Sequence, residues 1–320
     1  MRTRRPKRAA EAPTLRGGRS AFRGRPGRVT PLLLAAVAAA AGSAARGQAQ
    51  ERVERERATG PEPYVKVLVS GGSVRVTGWD RETIAVSGSV SRSDRFFLAG
   101  GEGSAKLGAW GEEQEVVTAD LEVRVPRRST VWVKTESARV HVSGVTGGVD
   151  AYSVTGAVRI EGEARHIYAE SMGGPVELFA TARSVRAKTA NGPILFQGET
   201  PDITLTTVAG NISVTAPPLE LGRFETVTGE VRFEGGVHQG GSLDFQTHSG
   251  TVRLILPADQ GADISITSVE GEVHLEGDLP FRHRESYQDL RGRELSFLAG
   301  SGGASVIVRT FNGSITLQAR

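Results

Sequence analysis

The side chains in this sequence that could do chemistry are acidic residues, a few histidines and a few serines. An enzyme that cleaves acidic polysaccharide on a β-helix would bind calcium through carboxylates at one outward position of neighbouring coils, about 4.8 Å apart. An arginine or lysine beside them would act as the base. When the repeated segments of the chain are aligned, the acids have other neighbours: Asp150 lies beside Tyr168, Asp244 between Arg223 and Ser265, and Glu170 between Tyr152 and Lys188.

The densest group of acids lies in the later repeats and comprises Glu230, Glu234, Glu270, Glu272 and Glu276. The members that share a column are two coils apart, roughly 9–10 Å at the spacing of stacked strands. Arg232 and Arg253 lie among them. We interpret the group as a solvated face of mixed charge, with a weak cation site as the alternative.

The histidines and serines do not assemble a site either. His141 and His274 face outward but lie many coils apart, and His248 occupies a corner position that is mostly hydrophobic in other copies. The chain has no cysteine, which excludes disulfides, thiolate metal sites, a cysteine nucleophile and a lipoprotein anchor. The sequence therefore predicts no catalytic residue, no metal site and no cofactor. Three serines have a structural role at the corners of the repeat: Ser153, Ser171 and Ser268.

The elements that would position these side chains are copies of one pattern, a Ser/Thr-x-x-Gly turn followed by a short alternating strand. The first eight turns are spaced by 18, 18, 18, 18, 19, 21 and 21 residues, and a ninth copy closes the chain. A nearly constant period of this size is typical of a solenoid. The turns begin at Thr135, Ser153, Ser171, Thr189, Thr207, Thr226, Thr247, Ser268 and Thr310.

Hydrophobic residues alternate with other residues on both sides of each turn. In the copy that turns at Gly156, Val149 and Ala151 precede the turn, and Val158 and Ile160 follow it. This period of two predicts strands with one buried face. The Ser or Thr of the turn continues the inward side of the strand, so we expect its hydroxyl to bond turn backbone that would otherwise be buried without a partner.

Glycine ends the turn in every copy but the first, which has Ala138. We predict that these glycines take positive φ, so that Gly→Val at Gly210 or Gly229 would strain the backbone. The predicted structural turn glycines are Gly156, Gly174, Gly192, Gly210, Gly229, Gly250, Gly271 and Gly313.

Together the copies predict an all-β fold, a single-stranded parallel β-helix (β-solenoid) with about 9–10 coils of 18–21 residues. One copy buries too little apolar surface to offset the entropy lost when its residues become ordered, so stacking between coils must stabilise it. The handedness of the coil is not encoded in this pattern, and a right-handed coil is the general expectation for parallel strands.

Residues 1–49 have the composition of a signal peptide with a long basic region. They hold eleven Lys/Arg and one acidic residue, and an apolar run at Pro31–Ala41 precedes a cleavage site predicted between Ala49 and Gln50. An uncleaved membrane anchor is the alternative, but the run is short and rich in alanine. Without this segment the chain has 28 basic and 35 acidic residues, a net charge of about −7 that argues against nucleic-acid binding.

The rest of the chain divides by its pattern. Residues 50–63 are predicted to be a charged linker, and 64–130 an irregular N-terminal β part that covers the first coil. Residues 131–320 are predicted to form the regular β-helix, with an insertion at 277–303.

The C-terminal end of the predicted helix needs a cover. The strand Ser314–Leu317 ends three residues before the last residue, so we predict that it is the final coil and has an open edge. Self-association through this coil is one solution. The other is that hydrophobic residues of the insertion fold over it: Phe281, Tyr287, Leu290, Leu295 and Phe297.

Several segments together resemble a large family of exported bacterial β-helix proteins of unknown function, often labelled putative adhesins. They are the opening segment Gly-Ser-Val-Arg-Val-Thr-Gly-Trp-Asp at 72–80, the serial Thr-x-x-Gly-x-Val-x-Leu corners, and the ending at 302–317. The resemblance covers residues 64–317 and implies the β-helix fold, but the family provides no catalytic motif to carry over.

The targeting segment, the repetitive exposed surface and the lack of a catalytic constellation predict a non-catalytic exported β-solenoid. We expect an adhesin-like binding or scaffolding protein of the periplasm or cell surface. Its predicted partner is a cell-wall or surface glycan or another envelope protein, with no nucleic acid and no stable membrane span after cleavage. The alternatives are a polysaccharide-active β-helix enzyme, either a lyase or a hydrolase, and a component of an envelope stress or signalling system.

Overall fold

The computed structural model describes residues 50–111, 115, 117–276, 281–289 and 292–320. The predicted signal peptide, including Ala49, lies outside the described residues, and Gln50 is the first residue described and is exposed. Within these ranges the chain is all-β apart from one 3-10 turn at Ser93–Arg95. No helix there is long and apolar enough to cross a membrane.

The strands follow one another closely along the chain. In chain order they are β1 (Glu51–Ala58), β2 (Tyr64–Val69), β3 (Gly71–Trp79), β4 (Thr83–Val90), β5 (Phe96–Gly100), β6 (Ser104–Ala109), β7 (Thr118–Pro126), β8 (Thr130–Thr135), β9 (Arg139–Ser143), β10 (Gly148–Ser153), β11 (Val158–Ala164), β12 (His166–Ser171), β13 (Val176–Ala182), β14 (Val185–Thr189), β15 (Ile194–Glu199), β16 (Asp202–Thr206), β17 (Ile212–Thr215), β18 (Leu219–Thr226), β19 (Val231–Glu234), β20 (Val237–Thr247), β21 (Val252–Leu256), β22 (Ala262–Ser268), β23 (Val273–Glu276), β24 (Phe281–Asp289), β25 (Gly292–Ala299), β26 (Ser305–Thr310) and β27 (Ile315–Ala319).

Two sheets make up the described part of the chain, and each regular coil gives one strand to each sheet. The first sheet has 13 strands in the order β1-β4-β7-β3-β9-β11-β13-β15-β17-β19-β21-β27-β23. The second has 14 strands in the order β24-β25-β22-β26-β20-β18-β16-β14-β12-β10-β8-β2-β6-β5. The regular strands pair in parallel with equivalent repeat positions side by side, as in Ala151 beside Ala169 and Ser153 beside Ser171. The predicted all-β, parallel repeat fold is confirmed; coil number and handedness stay predictions.

The core lies between the two sheets and consists of the inward columns predicted from the period of two. Four phenylalanines are its largest buried side chains: Phe196, Phe224, Phe233 and Phe245, each 0% exposed. The rings of Phe224 and Phe245 stack with centroids 4.8 Å apart. Burial of one such side chain stabilises the fold by roughly 1.5–3 kcal/mol, so the columns supply the main driving force.

Most corner hydroxyls bond the turn backbone, as predicted, whereas the buried Oγ1 of Thr310 has no hydrogen-bond partner among the described residues. The Oγ of Ser171 accepts the backbone N–H of Gly174 at 2.9 Å, and Thr207 does the same for Gly210 at 3.0 Å. The column is buried, and its members also contact one another, with 2.8 Å between the Oγ1 atoms of Thr189 and Thr207. These bonds satisfy polar backbone that the stacked corners remove from water.

The prediction of positive φ at the turn glycines is wrong. None of the eight is among the described glycines with positive φ, although Gly144 at the second corner is, with φ 65°. Glycine is needed instead because the corners stack closely. A Cβ on Gly210 would lie 2.0 Å from the carbonyl oxygen of Gly192, and one on Gly229 would lie 1.8 Å from that of Gly210. The constraint comes from the neighbouring coil and not from the turn itself.

The predicted charged linker at 50–63 is mostly a strand. β1 pairs antiparallel with β4 along its whole length, and β4 pairs antiparallel with β7. Val53 is 5% exposed, while the other seven residues of β1 are exposed and mostly charged. Charge on the outer edge strand of a sheet opposes edge-to-edge association, so this composition suits an end cap.

The two strands of the first coil in the chain are not at the end of the solenoid. β2 lies between β6 and β8, and β3 lies between β7 and β9. The region 64–130 is therefore regular in part, and Val69 aligns with the corner residue Thr135. The intervening β4 and β5 run antiparallel to their neighbours, which brings the chain back on the outer side of its own first coil.

The C-terminal coil, like the first coil in the chain, lies inside the solenoid and not at its end. The prediction that it is the last coil is therefore wrong. β26 lies between β20 and β22, and β27 lies between β21 and β23. Each coil offers equivalent strand edges, so the final strands can pair on both sides. The coil that turns at Ser268 is therefore the outer one, and Leu275 on its edge strand β23 is 49% exposed. Self-association of the chain stays a prediction.

The insertion covers the outer coil on one sheet. β24 and β25 form an antiparallel hairpin whose second strand pairs with β22. Phe297 is 4% exposed, and Leu295 packs against the core. The cap predicted for the Thr310 coil thus lies against the Ser268 coil. Leu290 and the side chains of Phe281 and Tyr287 lie outside what the structure describes.

Candidate binding surface

The acids that we tested for an enzyme site lie mostly where the sequence predicts. Asp150 is beside Tyr168, and Glu170 lies between Tyr152 and Lys188. The prediction for Asp244 is wrong on one side, because the displaced C-terminal coil puts Ile307 next to it instead of Ser265. No carboxylate column suited to calcium results from these pairings.

Several charged groups on the outward side of the first sheet, in the regular coils, form ion pairs with one another. Arg159 binds Glu161 at 2.6 Å and Glu177 at 2.7 Å through hydrogen bonds, and His141 lies 3.1 Å from the same Glu161. We call this side the arginine–glutamate face, which includes Arg159, Glu161, Glu177, Arg232, Glu234, Arg253 and Glu276. Arg232 and Arg253 pair with Glu234 and Glu276 at 3.5 Å each, as expected for a face of mixed charge.

Two further histidines have local partners. His274 lies 3.4 Å from Glu272, and His248 stacks on Phe311 with ring centroids 5.0 Å apart. Among the described residues, no group of three or more His, Asp or Glu could hold a metal ion.

The second sheet has an outward surface of a different kind. It carries two of the chain's three tryptophans, three of its four tyrosines and all four lysines after residue 49. We call it the aromatic–lysine face: Tyr64, Lys66, Lys106, Trp110, Trp132, Lys134, Tyr152, Tyr168 and Lys188. These residues belong to neighbouring strands, from β6 and β2 through β8, β10 and β12 to β14, with Trp110 directly after β6.

Strand parity places these side chains outward. In β8, Val131 and Val133 are 0% exposed, so Trp132 and Lys134 between and after them must face away from the core. Parallel pairing then brings Trp132 between Lys66 and Asp150, and Tyr152 between Lys134 and Glu170. The face is thus built by the same stacking that builds the core.

The aromatic rings form a tilted row across the strands. The centroids of Trp132 and Tyr152 are 5.5 Å apart with planes at 42°, and those of Tyr152 and Tyr168 are 5.2 Å apart at 33°. Tyr64 is 36% exposed, and the other rings are partly exposed. Tilted rings at this spacing attract one another by about 0.5–1.5 kcal/mol per pair and keep their outer edges in water.

Lysine ammonium groups lie over the rings. Nζ of Lys66 is 5.5 Å from the centroid of Tyr64 and 5.9 Å from that of Trp132. Nζ of Lys134 is 5.9 Å from the ring of Trp110. A ring face attracts a cation but leaves its hydrogen-bond donors free for water or a ligand.

Two carboxylates adjoin the rings. The hydroxyl of Tyr168 donates a hydrogen bond of 2.5 Å to Glu170, and His166 lies 3.5 Å from Asp150. Burial, and then the bond to Glu170, raise the pKa of Tyr168 well above its ordinary value. Burial also raises the pKa of Tyr64 and Tyr152, with Asp150 as the second cause. All three hydroxyls therefore stay neutral near pH 7.

This combination suits binding rather than catalysis. Exposed aromatic edges contact apolar C–H groups, while neutral hydroxyls, ammonium groups and carboxylates exchange hydrogen bonds with a polar ligand. Tyrosine and tryptophan carry much of the binding energy at known interfaces. Sequence reasoning missed the face because it tested columns for acids only; the outward placement of all four lysines was a signal already present in the strand pattern.

Comparisons with known proteins agree with this architecture. The sequence model of the Toastrack DUF4097 family matches residues 62–318. No curated protein matches the chain significantly. The fold is similar to the crystal structure of a putative lipid binding protein from Parabacteroides distasonis, with TM-score 0.52 and 11% identity over 83% of this chain and 96% of that one.

Two further structures are more distant. A putative adhesin from Parabacteroides distasonis has TM-score 0.41 and 9% identity over 84% of this chain and 97% of that one. A putative adhesin from Parabacteroides merdae has TM-score 0.40 and 7% identity over 84% and 96%. At 11% identity the first of the three structures supports the fold alone, and the two with lower TM-scores add no support.

Proposed function

Because the chain belongs to the Toastrack DUF4097 family, as its sequence resemblance indicated, we propose that it is an exported, non-catalytic, adhesin-like binding protein of the cell envelope. The family match and the repeat fold support a binding role. Export is supported by the basic and apolar composition of residues 1–49. N-terminal sequencing of the native protein tests export, for which the expected first residue is near Gln50; an intact Met1 on a cytosolic protein would contradict it.

The single observation that carries the binding role is the aromatic–lysine face. It gathers most of the chain's tryptophan and tyrosine onto one exposed surface, although the rest of the molecule is poor in aromatic residues. A monomeric repeat protein needs no such surface for its core, since the inward columns are already closed by Val, Ile, Leu and Phe.

A glycan of the cell wall or cell surface is the ligand that this face fits best. Sugar rings offer apolar C–H groups together with hydroxyl donors and acceptors. The face has the matching groups in alternation: the ring of Trp132 lies between Lys66 and Asp150, and the ring of Tyr152 between Lys134 and Glu170. The hydroxyls of an extended polymer would meet ammonium groups on one side and carboxylates on the other.

A glycan and cell-wall binding array tests the proposal. The full chain should bind at least one polymer, and Trp132→Ala with Tyr152→Ala should abolish most of that binding, since aromatic anchors typically dominate an interface. Phe179→Ala is the matched control, because this outward aromatic lies on the first sheet against Arg159 at 4.4 Å. Circular dichroism of each variant verifies folding. Equal loss in the control, or binding only to envelope proteins, would overturn the glycan assignment.

The rival function, a polysaccharide lyase or hydrolase, is tested on the same polymers. We expect no new reducing ends and no unsaturated products after prolonged incubation. Turnover of any polymer would overturn the non-catalytic reading, whatever the outcome of the binding array.

A further inference from the structure

Lysine has an uneven distribution in this chain. Only five of the 39 basic residues in the sequence are lysines, and the others are arginines. Four of the five lysines follow residue 49, and all four are on the aromatic–lysine face. The two side chains bind anions differently. The lysine ammonium group is a compact point charge with three hydrogen-bond donors, whereas the planar guanidinium group of arginine forms paired hydrogen bonds with a carboxylate of fixed orientation. The lysines after residue 49 are therefore confined to the face that carries the exposed row of rings.

The lysines have no protein carboxylate of their own. None of the four is in an ion pair with any residue that the structure describes, whereas Arg159, Arg232 and Arg253 on the other sheet are all paired. Lys66 and Lys106 are direct neighbours in the register of β2 and β6. Two like charges side by side on a sheet repel one another, so the pairing of Lys66 with Lys106 is itself unfavourable and only their ring contacts offset it within the protein.

We propose that Lys66, Lys106 and Lys134 bind the acidic groups of an anionic glycan, a polymer whose sugar or polyol units bear carboxylate or phosphate. The inference rests on the proposed function and names the ligand class of the same face. The three lysines lie on adjacent strands β6, β2 and β8, next to the rings of Tyr64, Trp110 and Trp132. An acidic group of the polymer contacts the ammonium ions while its ring carbons contact the aromatic edges.

The same face distinguishes a polymer from an anionic lipid surface. Asp150 and Glu170 lie only one or two strands beyond the lysines, so a uniformly negative plane would be attracted at one part and repelled at the next. A polymer with spaced acidic groups can place them at the lysines and its hydroxyls at the carboxylates. The charge pattern therefore favours a glycan.

Lysine-specific chemistry offers a direct test on the full chain. Acetylation removes the ammonium charge of every lysine, and all lysines after residue 49 are on this face, whereas reductive methylation keeps the charge. The probes are polygalacturonate, its methyl ester as a neutral polymer of the same backbone, poly(glycerol phosphate), and vesicles of phosphatidylglycerol. We expect acetylation, but not methylation, to weaken binding of at least one acidic polymer by about tenfold or more, with affinity falling as salt rises.

Substitutions supply the matched control. Lys66→Gln, Lys106→Gln and Lys134→Gln combined should reproduce the loss, while Arg75→Gln, Arg139→Gln and Arg232→Gln on the first sheet should leave affinity within about twofold. Equal affinity for polygalacturonate and its ester, with no effect of the lysine variants but loss in Trp132→Ala, would refute the anionic ligand and leave the proposed function standing. Binding to no glycan would refute both, and binding to vesicles alone would refute the glycan.

Discussion

The two outward faces of the solenoid are built on the same repeated backbone, but their charged side chains have different partners. On the arginine–glutamate face, Arg159 is clamped between Glu161 and Glu177, so its charge is satisfied within the chain. On the aromatic–lysine face, Lys66 has rings beside it and no carboxylate paired with it among the described residues. Both faces stand on inward columns that are almost completely buried. The comparison shows that the hydrophobic core restricts the inward residues and leaves the types of the outward residues open. The outward residues can therefore differ between the two faces according to function.

The largest loss of stability is expected from a truncation that removes one strand from each of the two sheets. Ending the chain after Gly303 removes β26 and β27, one strand from each sheet, and leaves β22 and β23 without the neighbours that separate them from β20 and β21. We expect a loss of more than about 4 kcal/mol in the free energy of unfolding, measured by urea denaturation. Deletion of Glu51–Ala58, the outermost strand of the first sheet, is the control and should cost less; equal costs would contradict an interior C-terminal coil.

The corner that joins the two faces comes second. Gly210→Val puts side-chain atoms against the carbonyl of Gly192, so the coils must move apart, at a cost of about 3 kcal/mol or more. The measurement is again the urea midpoint. Gly240→Ala is a useful contrast because it has positive φ, 79°, and open space around it. Its cost should be backbone strain of about 1–2 kcal/mol; a larger cost there than at Gly210 would show that φ matters more than stacking.

Removing one aromatic ring from each face should change the free energy of unfolding by smaller and unequal amounts. Trp132→Ala loses contacts with Tyr152 and Lys66 and should lower the free energy of unfolding by about 1–2 kcal/mol. Phe179→Ala loses chiefly its contact with Arg159 and should cost about 0.5–1 kcal/mol. If the tryptophan change were the cheaper of the two, the aromatic row would not stabilise the coils.

The two faces should respond to opposite ends of the pH scale. The raised pKa of Tyr168 favours the neutral phenol in the folded state, so its contribution is complete below its ordinary value of 10.0 and is lost as pH rises above it. Hydrogen bonds from Arg159 and His141 lower the pKa of Glu161, so that contribution is complete above its ordinary value of 4.5 and is lost as pH falls.

Two variants test this difference. Tyr168→Phe should make stability less sensitive to alkali, and Glu161→Gln should make it less sensitive to acid, as followed by urea midpoints across the pH range and by tyrosinate absorbance. Unchanged pH profiles in both would show that these groups do not couple ionisation to folding.

The smallest effect is expected for a single charge on the arginine–glutamate face. Arg232→Ala removes an ion pair of 3.5 Å with Glu234, and both side chains reach solvent. Exposed pairs contribute little, so the free energy of unfolding should change by less than about 0.5 kcal/mol. A cost near that of Gly210→Val would mean that the inward and outward sides of the strand have been exchanged.

The amino-acid sequence alone determined the regular part of this protein. Alternation of hydrophobic residues around each Ser/Thr-x-x-Gly turn specified which side chains are inward, and the hydroxyls at Ser171 and Thr207 bond the backbone as the pattern predicts. These features follow from local chemistry, because strand parity and turn bonding involve residues a few positions apart. The same parity places Trp132 and Lys134 outward, so most of the candidate site could have been derived from sequence.

Only the tertiary structure decided the order of coils at both ends, the role of the turn glycines and the strand at Glu51–Ala58. Repeats present similar edges to one another, so the sequence period does not say whether β27 pairs beyond β23 or between β21 and β23. The close approach of Gly210 to Gly192 likewise depends on the distance between coils and not on the turn. Contacts between equivalent repeats are non-local, and local pattern cannot choose among them.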